Sequence, residues 1–206
     1  MLKNQYLSID LDFWCDNENS YASTMFFKKV LTLNAPITCY IEHEEMIKDI
    51  KKVKNLKTLY NVDYHSDVCE KNRLGKKATD GDWVNFVPGK TKAKYIWIFP
   101  DDRCYNNYGT FGAGEGVCHT HIDPFVKKKE SGWREITYTT ELKKIKWHKI
   151  QRVGVCLSPE YVTIRTIQTA LKLLKIDLKR ANYLVKNQSS FHSKKERGVL
   201  SKIKGQ

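Results

Sequence analysis

Three short stretches of this chain carry most of its metal-type ligands. Asn61-Val62-Asp63-Tyr64-His65-Ser66-Asp67 closes an apolar run, Leu56 to Val62, and spaces Asp63, His65 and Asp67 two apart. In extended chain, residues two apart share a face, so three ligands converging at a strand end suit a divalent cation. Upstream, Tyr6-Leu7-Ser8-Ile9-Asp10-Leu11-Asp12-Phe13-Trp14 is a second apolar strand, ending in a D-x-D pair. A third, Ile37-Thr38-Cys39-Tyr40-Ile41-Glu42-His43, ends in a histidine. Asp10, Asp12, Asp63 and Asp67 with His43 and His65 make an inventory for two metal ions. Any one of the six is equally an ordinary polar residue ending a strand, but six in one half of the chain argue for a shared site. A carboxylate-rich set with few imidazoles and no thiolate favours hard ions, which points to two manganese ions rather than zinc. Water held between two such cations becomes a nucleophile near neutral pH, because the metals lower its pKa.

Each ligand needs an element to deliver it. Asp16 to Asn19 reads as a polar turn, and Ser20 as the cap of a helix through Val30, with Met25, Phe26, Phe27 and Val30 on one broad face. Pro36 interrupts before the histidine-bearing strand. Glu44 to Val53 reads as an amphipathic helix with Met46, Ile47, Ile50 and Val53 inward. Strand, helix, strand predicts a βαβ unit with parallel pairing and a right-handed crossover. Ala93 to Phe99 and Lys149 to Leu157 are further strands, residues 133–139 an edge strand, and Val162 to Ile176 a helix. The alternation predicts an α/β fold: a three-layer sandwich with a mainly parallel sheet. Open sheets of this kind bind ligands at the carboxyl ends of their strands, where all six candidates lie. From Asp101 to Lys129 no period is visible. Glycines 109, 112, 114 and 116, interspersed with Tyr105, Tyr108 and Phe111, read as a flexible lip over the site. Cys104, Cys118, His119 and His121 offer a rival metal set there, without the closely paired cysteines of zinc domains.

The combination of D-x-H-x-D, S-x-D-x-D and a separate strand-end histidine resembles the metal site of the arginase-like ureohydrolases. The order differs, since Ser8-Ile9-Asp10-Leu11-Asp12 here leads the chain. That order, the aromatic after the D-x-D pair and the short length are similar to a smaller branch containing the peptide arginases, which convert arginine side chains in a precursor peptide to ornithine. The motif match spans about residues 5–85 and, loosely, Leu157-Ser158-Pro159-Glu160-Tyr161. The resemblance implies that Asp10 and Asp63 bridge the ions, that His43 and Asp67 complete one, and that His65 and Asp12 complete the other. It gives Asp67 a second, catalytic role in proton transfer to the leaving amine. It also makes Glu160 the substrate-binding and catalytic glutamate, since a planar guanidinium needs a carboxylate to fork onto. A glutamate favouring a helix dipole explains Glu160 as well, and Glu42 and Glu44 are the weaker alternatives. Where arginases carry a histidine in a glycine-containing loop, this chain reads Gly81-Asp82-Trp83-Val84-Asn85. Asp82 or Asn85 would line the pocket there, and Trp83 would serve as core. No group that holds a free α-amino acid is identifiable, so arginine within a peptide is the expected substrate.

Composition bounds these readings. At 206 residues the chain is one domain, with residues 1–176 as the arginase-like metallohydrolase domain and 177–206 as a basic C-terminal segment packed on it or extending from it. No apolar run approaches ~18 residues, so no membrane span is expected, and the early first strand leaves no signal peptide. Six cysteines without a framework spacing suit a reducing, cytoplasmic setting. Of the net charge of +13, residues 177–206 supply eight Lys/Arg against Asp177 and Glu196. Such a tail binds acidic peptides, acidic membrane surfaces or nucleic acid, but no nucleic-acid motif accompanies it. The alternatives are a hydrolase of another guanidino or amide substrate, a non-enzymatic basic binding module, and a metal-dependent nucleic-acid phosphodiesterase.

Overall fold

The computed structural model describes residues 3–14, 21–68, 78, 81–99, 132–158, 162 and 164–176. Six strands, β1 (Gln5–Asp10), β2 (Ile37–Tyr40), β3 (Thr58–Val62), β4 (Lys94–Ile98), β5 (Glu135–Thr139) and β6 (Ile150–Cys156), form one sheet in the order β2-β6-β1-β3-β4-β5. Every neighbouring pair is parallel.

Strand alternation sorts the side chains into two cores. Leu7, Ile9, Tyr60, Val62, Val153 and Val155 pack with Phe26, Phe27 and Val30 of α1 (Tyr21–Leu31) and Ile167, Ala170 and Leu171 of α3 (Ile164–Leu173). The intervening residues Tyr6, Leu59, Tyr95, Trp97 and Cys156 face Met46 and Ile50 of α2 (Met46–Ile50), together with Trp83 and Val84. Parallel strands that bury both faces require cover on both, and the result is the expected three-layer α/β sandwich. By the same period-two count, Asp10 and Asn61 fall on the α2 face.

Several expectations change. β1 and β2 are parallel but not neighbours, because β6 lies between them. β6 has seven residues and a buried centre, which suits a flanked position; β2 has four and is half-buried at its start, which suits an edge. β5 is the opposite edge, as its pattern predicted. Gly154 makes the β1–β6 contact possible, since a Cβ there would stand 2.2 Å from Tyr6 Oη and 2.9 Å from Met46 Sδ. Met25 is exposed rather than inward, leaving α1 a narrower apolar face of Phe26, Phe27 and Val30. The predicted Glu44–Val53 helix is shorter: a 3-10 turn, His43–Glu45, precedes α2. The glycine-rich 109–116 stretch, Cys104, Cys118, His119, His121 and the basic 177–206 segment lie outside the described residues.

Candidate metal centre

The strands deliver their ligands by turning, not by extending. β1 ends at Asp10, whose Oδ1 accepts the N–H of Asp12 at 3.1 Å. β3 ends at Val62, and Asp63 repeats the device, its Oδ1 accepting the N–H of His65 at 2.7 Å. Short acidic side chains that cap their own chain two residues on are a common way to start a turn. Asp63, His65 and Asp67 therefore do not share one face, as extended chain would have required. The turn sends His65 towards Asp12, with Nδ1 and Oδ2 3.1 Å apart, and Asp67 towards His43, with Oδ2 3.5 Å from Nδ1. Asp67 adopts a left-handed conformation, φ 53°, to do so, which an aspartate tolerates better than most residues. His43 likewise sits beyond its strand, opening the His43–Glu45 turn.

β4 pins that turn. Trp97 donates Nε1–H to the Asp63 carbonyl at 2.9 Å, and Tyr95 its hydroxyl to the Ser66 carbonyl at 2.6 Å. Both aromatics lie on the α2 face, so the alternation that builds the second core also fixes the ligand loop.

Six predicted ligands come together at this carboxyl edge. Asp12, Asp63 and His65 form one group and His43, Asp63 and Asp67 another, the candidate ligand atoms in each lying within 4.8 Å of one another; Asp63 belongs to both. Asp10 approaches from the other side, its Oδ2 3.5 Å from His43 Nε2, while Asp63 Oδ2 is 3.6 Å from the same nitrogen. Five of the six are buried, and His65, at 31% side-chain exposure, marks the solvent side.

The set gathers carboxylates away from water. Burial, then the charge of a neighbouring aspartate, raises the Asp10 and Asp63 carboxyls well above the usual carboxylate range. Burial raises Asp67 as well, opposed by the histidines and by hydrogen bonds. Among the described residues, the ion-pair partners of these four aspartates are histidines only. Asp49 gives the contrast within the same molecule. Equally buried, it receives Arg152 Nε and Nη2 at 2.9 and 2.8 Å and Lys52 Nζ at 3.1 Å. Buried carboxylates without fixed cations suit a bound one, and a divalent ion fits this donor set.

The structure adds residues that the pattern of metal-type ligands did not single out. Trp83, expected as core, is buried and also donates Nε1–H to Asp67 Oδ2 at 2.5 Å, with its ring stacked on His43 at 5.4 Å. Asn61 Nδ2 reaches Asp63 Oδ2 at 3.0 Å and Asp67 Oδ2 at 3.3 Å. Its place two residues before Asp63, on the same face, was the signal available. Cys156 and Ser158 come in from the end of β6: Cys156 groups with Asp10 and His43, so the set does contain a thiol, contrary to expectation. Asp82 is buried ahead of the 3-10 turn Trp83–Phe86, which carries the half-buried Asn85. Glu160 lies outside the described residues.

No family model matches this chain, and no curated protein or solved structure matches it. What fold and site define is a parallel α/β protein with a buried aspartate–histidine centre at the carboxyl edge of its sheet.

Proposed function

We propose that this chain is a metal-dependent hydrolase of the arginase type, acting on arginine side chains in a precursor peptide to give ornithine and urea. One observation carries the reading: Asp63 is common to two ligand groups in a set of four aspartates and two histidines, five of them buried. Asp12, Asp63 and His65 would hold one manganese ion and His43, Asp63 and Asp67 the other, with Asp10 as the second proposed bridge. Bound there, the ions supply Lewis acidity and a water nucleophile at neutral pH.

The chain's own residues do the rest. Water adds to the guanidinium carbon, the bond from that carbon to the side-chain nitrogen breaks, and the departing amine takes a proton. We assign Asp67 that proton as a second role beside metal binding; its Oδ2 accepts N–H groups from Trp83 and Asn61. Glu160, two residues beyond Ser158 in sequence, is the proposed acceptor for the planar guanidinium. The arginine side chain enters on the His65 side, the exposed flank of the centre. Asp82 and Asn85 stand next to Trp83 in the chain and are the proposed pocket lining. A peptide substrate is the one the resemblance implies, and a cytoplasmic setting suits the buried, unbridged Cys39 and Cys156.

Mass spectrometry of arginine-containing peptides incubated with manganese-loaded protein tests this. The expected product is an ornithine residue, with urea released, and no reaction after chelation. Rapid urea release from free arginine with peptides untouched would overturn the substrate assignment.

A further inference from the structure

The thiol at the end of β6 lies against the metal centre, and the reading above gives it no role. Cys156 is 2% exposed and lies on the α2 face, two residues from Gly154 and level with Asp10 in the β1–β6 register. Its Sγ, one carboxylate oxygen of Asp10 and one ring nitrogen of His43 all fall within 4.8 Å of one another. His43 Nε2 faces Asp10 and Asp63, while Nδ1 faces Asp67. Asp67 Oδ2 is already engaged by the N–H groups of Trp83 and Asn61. Donor density on the Asp10 side of His43 therefore has a second source in the sulfur. Ser158, in a left-handed conformation of φ 40°, holds its hydroxyl 3.3 Å from that sulfur and also hydrogen-bonds Asp10, and the thiol in turn donates to the Ile41 carbonyl at 3.2 Å, so sulfur and carboxylate share one polar cluster.

We propose that Cys156 is a metal ligand, binding as thiolate the ion held by Asp10 and His43, so that the two halves of the centre differ in softness. The inference rests on the metal-centre reading and refines it. Asp12, Asp63 and His65 offer only oxygen and nitrogen and take a hard ion. The half that includes Cys156 also accepts a borderline ion such as zinc or cobalt. On binding, the thiol proton now directed at Ile41 passes to solvent.

Cobalt(II) titration of the chelated full chain, followed by absorption, is the test. Wild type should show visible ligand-field bands together with a near-ultraviolet sulfur-to-cobalt charge-transfer band. Cys156→Ser should keep the first and lose the second. Cys39→Ser serves as the control, because Cys39 is buried in the other core, on the α1 face, and this variant should keep both. X-ray absorption on zinc-loaded wild type, which needs no variant to fold, should find a sulfur shell near about 2.3 Å beside nitrogen and oxygen at about 2.0–2.2 Å. Ligand-field bands without charge transfer in wild type, charge transfer surviving in Cys156→Ser, or a zinc shell without sulfur would each overturn the ligand assignment while the centre stands. No cobalt binding at all would remove the metal-centre reading itself.

Discussion

Asp67 carries the heaviest constraint of any single residue at the centre. It is buried, it holds a left-handed backbone angle of 53°, and one of its oxygens accepts the indole N–H of Trp83 at 2.5 Å. Strain of this kind persists only where surrounding contacts over-determine it, and here Trp83, Asn61 and the grip of Tyr95 on the preceding carbonyl supply them. Trp83→Phe keeps a ring over His43 but deletes the N–H. Losing a hydrogen bond to a buried carboxylate is expected to cost about 1.5–3 kcal/mol. Urea unfolding of the chelated protein reads that loss; a midpoint equal to wild type would mean that the indole acts by packing alone.

At the scale of elements, the sheet places the chemistry through one period-two pattern. Ser8 and Asp10, Asn61 and Asp63, and Gly154 and Cys156 are successive α2-face positions at the ends of β1, β3 and β6. Gly154 shows how narrow the tolerance is. An added Cβ would meet both Tyr6 Oη and Met46 Sδ below 3.0 Å, so Gly154→Ala must displace the Tyr6 side chain or α2. Overpacking of this kind costs roughly 1–3 kcal/mol, and the shift next to Cys156 should weaken metal binding as well. A calorimetric scan with and without metal checks both, and an unchanged melting temperature would refute the contact. The strands themselves were legible because each is an apolar run bounded by polar residues, and the six candidate ligands because they gather at three strand ends in one half of the chain. What stayed hidden was relational. That β6 separates β1 from β2 depends on long-range pairing, which no local period reports. Trp83 reads as core because burial in the core and a hydrogen bond to a buried aspartate call for the same position, and only the partner across the fold separates the two roles. The turn after Val62 was misread as extended because its cap, Asp63 onto His65, is a side-chain bond that alternation does not encode.

At the scale of the molecule, a strongly acidic centre is buried in a chain of net charge +13. Part of the positive charge lies away from it: Lys29 and Lys146 line a cavity of about 530 Å³ with Trp147 and His148, where α1 ends and β6 begins, at the amino edge of the sheet. No described helix is long and apolar enough to cross a membrane. The centre's charge makes stability depend on pH and metal together. The folded values of Asp10, Asp63 and Asp67 are raised, so between the ordinary carboxylate value and those raised values the folded, metal-free chain holds more protons than the unfolded one. Its stability therefore falls as pH rises through that window. Metal binding requires the ionised carboxylates and gains as protons leave. The melting-temperature rise on adding manganese should be larger at about pH 8 than at about pH 5. An equal rise at both would show that these carboxylates are not what the ion meets.

The claim on which the rest depends is that Asp63 and Asp10 each serve both ions, and elemental analysis of the purified chain after manganese loading tests it most directly. Wild type should hold two ions per chain. His43→Ala should lose mainly one, while Asp63→Asn, and likewise Asp10→Asn, should lower occupancy of both. Full metal content in Asp63→Asn, or no bound metal in wild type, would contradict the account.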